Sequence, residues 1–142
     1  DSKIHHNNLI NNILAKIEAN HANVDDAIML DLYGFVAETN ATNIFMIKNN
    51  VVYTPYAEAC LPGITRNLII QICKENNLPV FEKNLSVTEL YNADQVFTTG
   101  TMGELAQVIE IDKRKIKNEG DLLNKLNNLF REKTINSGTK IL

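Results

Sequence analysis

Apolar residues recur at helical spacing from about Leu9 to Asn20, where Leu9, Ile10, Ile13, Leu14 and Ile17 share one face and asparagines and charges the other. That spacing predicts an amphipathic helix. The pattern then tightens into short runs. Ala27 to Leu32, closed by Tyr33-Gly34, reads as a strand, as do Phe35 to Glu38 and Asn43 to Lys48. Asn49-Asn50 predicts a two-residue hairpin turn into a strand at Val51 to Thr54, because asparagine tolerates the left-handed dihedrals such turns require. A loop containing Pro55 and Pro62 leads to a helix predicted to begin at Thr65 and run to about Asn76 on Leu68, Ile69, Ile72 and Cys73. Pro79 to Lys83 reads as another strand, and Ser86-Val87-Thr88-Glu89 as a capping box at a helix start. Asp94 to Thr99 and Leu105 to Asp112 read as strands flanking a turn at Gly100 to Glu104. Asp121 to Lys133 reads as a closing amphipathic helix with Leu122, Leu126, Leu129 and Phe130 on one side. Strands and helices are interspersed and the hairpins exclude an all-parallel sheet, so the predicted class is mixed α/β.

Composition narrows the function classes. No apolar run exceeds four residues, which leaves no segment for a transmembrane helix or a signal-peptide core. Lys and Arg number 14 against 17 Asp and Glu, a net charge of −3, so neither nucleic acid nor an anionic membrane is an expected partner. Cys60 and Cys73 make neither a disulfide framework nor a zinc ligand set, and a reducing, cytoplasmic setting is the expectation. His5, His6 and His21 lack the helical i, i+4 spacing of metal ligands, so no metal is expected. No repeat or linker divides the 142 residues.

Four stretches carry candidate chemistry. Leu61-Pro62-Gly63-Ile64-Thr65-Arg66 lies where a helix begins; a glycine there permits close backbone approach, and free first-turn N–H groups with the Thr65 hydroxyl suit a phosphate. A plain loop-to-helix junction capped by Thr65 is the alternative. Thr98-Thr99-Gly100-Thr101-Met102-Gly103-Glu104 puts three hydroxyls and two glycines in seven residues, either an anion-friendly turn or a tight polar hairpin. It is not a dinucleotide fingerprint, because the third glycine and the following long helix are missing. Glu38 ends an apolar strand and is followed by small polar residues; its carboxylate suits holding a heteroaromatic nitrogen protonated, or it is an exposed charge at a strand end. Lys3 is a candidate Schiff-base amine or a solvated cation.

In this order, together with the helix motif Asn11 to Ala19 and the run Gly34 to Phe45, these stretches resemble the C-terminal part of the fold-type IV, pyridoxal-phosphate-dependent aminotransferases. That family includes branched-chain and D-amino acid aminotransferases and aminodeoxychorismate lyase. The resemblance covers nearly the whole chain. It implies the C-terminal domain of the D-amino acid aminotransferase-like fold, a mixed sheet or pseudo-barrel with flanking helices. Residues 1–142 would form the cofactor-binding domain, and the small N-terminal domain, with its phosphate-binding arginine, would lie outside this chain, which opens with Asp1 rather than Met.

The implied cofactor is pyridoxal 5'-phosphate. Glu38 matches the carboxylate on its pyridine nitrogen, Ile64 and Thr65 the phosphate-binding helix start, and Thr101 a second phosphate contact. Thr101 and Met102 lie where the family's backbone meets the substrate carboxylate. Arg66 is expected to point along the helix rather than into the site. Lys3, in the form Lys-x-x-x-Asn with Asn7, matches the cofactor-linked lysine if a small insertion precedes the helix; gapless placement puts His5 there, and imidazole lacks the required amine. Asn8 or Leu9 stands where the family often has a tyrosine. The implied reaction is transamination of branched-chain L-amino acids with 2-oxoglutarate by a homodimer. A lyase or D-amino acid aminotransferase of the same fold, or a non-catalytic domain that kept the fold, are the alternatives.

Overall fold

The first periodic segment forms helix α1, Ile10–His21, in a computed structural model that describes residue 4 and residues 7–137. Lys3, His5 and His6 lie outside the described residues. Strands β1 (Ile28–Leu30) and β2 (Val36–Thr39) pair antiparallel, and the turn between them is held by the Asp31 carboxylate, which accepts from the backbone N–H groups of Tyr33 and Phe35. Next come β3 (Asn43–Lys48), β4 (Val51–Thr54), α2 (Ile64–Glu75) and β5 (Val80–Glu82). They are followed by α3 (Val87–Tyr91), β6 (Gln95–Gly100) and β7 (Glu104–Val108). A small hairpin of β8 (Glu110–Ile111) and β9 (Arg114–Lys115) precedes α4 (Leu122–Ser137).

The main sheet has the order β5-β4-β3-β6-β7. Only β4 and β5 pair in parallel, with α2 as their crossover; the other pairs are antiparallel. The mixed sheet with flanking helices is therefore as expected from the sequence. Side chains alternate across β3, as a pleated strand requires. Phe45 and Ile47 face the core made with Ile69, Ile72 and Cys73 of α2 and Leu126 and Phe130 of α4. Ile44 and Met46 face a second core with Val36, Leu85, Leu90, Val96 and Ile111. Burial on both faces explains the unbroken apolar run Ile44 to Ile47. The Phe45 and Phe97 rings, directly paired across the strands, stack with centroids 5.0 Å apart.

Two local readings hold to the residue. Asn49 and Asn50 adopt φ of 51° and 60°, the left-handed pair of a tight hairpin. Ser86 and Glu89 form a reciprocal capping box on α3. One strand differs: Leu105 to Asp112 is broken at Ile109. Beyond it the chain leaves the main sheet, and β8 pairs with β9 through a turn in which Asp112 and Lys113 both take positive φ.

Strand direction places the site. Because β3 is antiparallel to both β4 and β6, the carboxyl ends of β4 and β6 and the amino end of β3 share one edge of the sheet. The loop into α2 leaves the first, the turn after Gly100 the second, and Asn43 opens the third.

Candidate active site

Glu38 lies near the end of β2 and is half-buried, not an exposed strand-end charge. Burial pushes its carboxyl up to about 7, opposed by the Leu61 backbone N–H. A carboxylate so desolvated gains strongly from a cation placed against it. The Asn43 amide donates to Glu38 Oε2 at 3.4 Å and to the Leu61 carbonyl at 2.9 Å. Asn43 thus ties the carboxylate to the segment that enters α2. The same side chain fills the space a residue larger than Gly63 would need: a Cβ at position 63 would lie 2.2 Å from Asn43 Oδ1. One residue earlier, Thr42 Cγ2 lies 3.1 Å from where a Cβ on Gly100 would be. The start of α2 and the turn after β6 therefore lean on adjacent residues of the β2–β3 turn. That turn is built by Thr39, whose hydroxyl accepts from the N–H groups of Ala41 and Thr42 and lies 2.8 Å from the Thr42 hydroxyl. Asn12 of α1 donates to the Asn40 carbonyl and docks the first helix on the same turn.

Two details of the helix start differ from the sequence reading. Gly63, not Thr65, is the N-cap, and it has no side chain with which to cap. Ile64 begins the helix and its side chain is exposed, whereas Thr65 is buried one residue further in. A first turn without a side-chain cap leaves N–H donors for an anion. Arg66 does not run along the helix surface. It is only 3% exposed, and its Nη2 donates to the Pro55 carbonyl at 2.8 Å and to Glu82 Oε2 at 2.6 Å. It fastens the base of the 55–63 loop to β5.

Thr101 and Met102 sit in the β6–β7 turn, both exposed. The turn is thus a tight hairpin that also leaves the Thr101 hydroxyl accessible. Thr99, the last side chain before Gly100, is buried, and its hydroxyl has no hydrogen-bond partner. Asn43 and Thr99 lie within stretches singled out in the sequence, but only the structure distinguishes them from their neighbours. In the sequence each is one polar residue among several at a strand end, Asn43 directly after Thr42 and Thr99 directly after Thr98. Lys3 lies outside the described residues. Among the described residues there is no cluster of His, Cys, Asp or Glu able to hold a metal ion, and no helix is long and apolar enough to cross a membrane.

The Glu38 carboxylate, a bare helix start, a hydroxyl-bearing turn and the unpartnered buried Thr99 hydroxyl, gathered at one end of the sheet, fit a flat heteroaromatic phosphate ester. The fold agrees with that class of protein. It superposes on the T.th. branched-chain amino acid aminotransferase, solved with pyridoxamine 5'-phosphate, with a TM-score of 0.83 and 37% identity over 88% of this chain and 42% of that one. A Legionella pneumophila structure described as a 4-amino-4-deoxychorismate lyase gives a TM-score of 0.85 and 31% identity, over 89% of this chain and 47% of that one. In sequence, the branched-chain-amino-acid aminotransferase-like protein 2 of Arabidopsis thaliana is 55% identical over 99% of this chain and 26% of its own length. The profile of the class IV amino-transferase family matches residues 1–111. The chain belongs to that family. It spans about a quarter to a half of the length of the relatives it matches.

Proposed function

We propose that this chain is the cofactor-holding part of a pyridoxal 5'-phosphate-dependent aminotransferase that moves the amino group of branched-chain L-amino acids to 2-oxoglutarate. The observation that carries the reading is the convergence on Thr42 and Asn43 of the Glu38 carboxylate, the Gly63 helix start and the Gly100 turn. The substrate class rests on the relatives: the T.th. enzyme is also solved with N-(5'-phosphopyridoxyl)-L-glutamate and with 4-methylvaleric acid, a leucine-like carbon skeleton.

The cofactor, when bound, supplies the electron sink that stabilises charge developing at the substrate α-carbon. The protein's own residues do the rest. Glu38 holds a proton on the ring nitrogen. The N–H groups of Ile64 and Thr65 and the Thr101 hydroxyl bind the phosphate. The Thr101–Met102 backbone receives the substrate carboxylate and so orients the amino group. Lys3, seven residues before α1 begins, anchors the cofactor covalently and moves the proton from the α-carbon. The protein works as a cytoplasmic homodimer, and sedimentation showing only monomer at high concentration would count against that assembly.

Borohydride reduction of the chain incubated with pyridoxal 5'-phosphate, followed by peptide mapping, should place the cofactor on Lys3 and lose the adduct in Lys3→Ala. Absence of any adduct would leave a non-catalytic domain as the better account. In the full-length protein, leucine deamination dependent on 2-oxoglutarate is expected. Release of pyruvate from aminodeoxychorismate without transamination would establish the lyase instead.

A further inference from the structure

Thr99 is 2% exposed, and its Oγ1 is buried without a hydrogen-bond partner. Burying a hydroxyl unpaired is unfavourable, and a valine would fill the same volume in a strand without that cost. The position therefore favours a hydroxyl for a reason outside the free chain's own packing. Its surroundings indicate what that reason is. Thr99 has the same strand parity as Phe97, which faces α2 and α4, and it is the direct cross-strand partner of Asn43. Asn43 in turn reaches Leu61 and abuts Gly63, the residue that opens α2. The orphaned hydroxyl thus belongs to the sheet face beneath the start of that twelve-residue helix, beside Gly100 and the Thr101 turn.

We propose that the Thr99 hydroxyl is a further donor to the cofactor's phosphate, meeting it from the sheet while the α2 start meets it end-on. This rests on the cofactor reading above. The hydroxyl is closed to bulk solvent, so an anion would reach it from the side of the adjacent turn. That turn, residues 101–103, is solvent-exposed throughout. In the free protein Thr99 carries an unmet donor; in the loaded protein the donor is paired with a charged acceptor. Removing it should therefore act with opposite signs on the two states.

The test compares Thr99→Val and Thr99→Ser with wild type. Each is titrated with pyridoxal 5'-phosphate and with pyridoxal, which lacks the phosphate, and each is melted without ligand. Wild type should prefer the phosphorylated form. Thr99→Val should lose about tenfold of that preference, as expected for a hydrogen bond to a charged group, while binding pyridoxal unchanged. Its ligand-free melting temperature should stay level or rise. Thr99→Ser, which keeps the hydroxyl, should retain the preference. A Thr99→Val protein that keeps the full preference, or that melts lower or fails to fold, overturns the inference, since the latter two outcomes mean that the hydroxyl stabilises the free chain. A wild type indifferent to the phosphate overturns the cofactor reading itself, and this inference with it.

Discussion

Replacing Glu38 by glutamine tests the electrostatics of the site without any substrate. In the cofactor-free chain burial raises the Glu38 pKa from 4.5 to about 7, so the folded state holds a proton that the unfolded chain releases. An acid with a raised folded-state pKa contributes stability that is fully present below the unfolded value and is lost as the pH rises through the folded one. Two and a half pKa units would correspond to about 3 kcal/mol. Solvent reaches a half-buried carboxylate, and screening brings the expected effect down to roughly 1–2 kcal/mol. Glutamine keeps the shape and the capacity to accept from Asn43, and it does not titrate. Urea unfolding of wild type and Glu38→Gln between pH 4.5 and 8 should show wild type losing roughly 1–2 kcal/mol relative to the variant across that interval. Saturation with pyridoxal 5'-phosphate should flatten the wild-type slope, because a protonated ring nitrogen beside Glu38 restores the preference for the ionised carboxylate. Two curves that stay parallel over the whole interval without cofactor would refute the argument that desolvation governs this group.

Gly63→Ala forces a Cβ to within 2.2 Å of Asn43 Oδ1 and should cost about 1–3 kcal/mol in thermal unfolding; combining it with Asn43→Ala should recover much of that loss in a double-mutant cycle. Arg66→Met leaves the Pro55 carbonyl unpaired beneath α2 and should destabilise by about 2–3 kcal/mol in denaturant titration. Glu82→Gln, at the 41% exposed end of the same pair, should cost under about 1 kcal/mol.

Features governed by neighbours in the chain were legible in the sequence. The Asn49-Asn50 turn and the Ser86–Glu89 cap depend on interactions spanning two to four residues, and both appear where their residue types predict them. Features governed by distant packing were not. The apolar spacing of α1 correctly predicts a helix, yet Ile10, Ile13, Leu14 and Ile17 are each at least 44% exposed among the described residues, because periodicity specifies a face and not its partner. The break at Ile109 follows from the chain's departure into the β8–β9 hairpin, whose Asp112-Lys113 turn lacks the glycine or asparagine that usually marks one. At the site, Glu38, the Gly63 helix start and the Gly100 turn stood out as residue types, and the fold brings all three to one place. Asn43 did not stand out. Its importance arises from reaching Leu61, eighteen positions away, a contact that no local pattern encodes.

The shared sheet edge also gives the molecule a practical handle. Everything assigned to cofactor binding among the described residues clusters at the Asn43 end of β3, and the Asn49-Asn50 turn lies at the other. Six residues of extended strand separate them, about 20 Å at roughly 3.3 Å each. A fluorophore attached at position 50 would sit outside the chemistry and still within range for energy transfer to a chromophore at the Asn43 end. Occupancy could then be followed without touching a single residue that makes it possible.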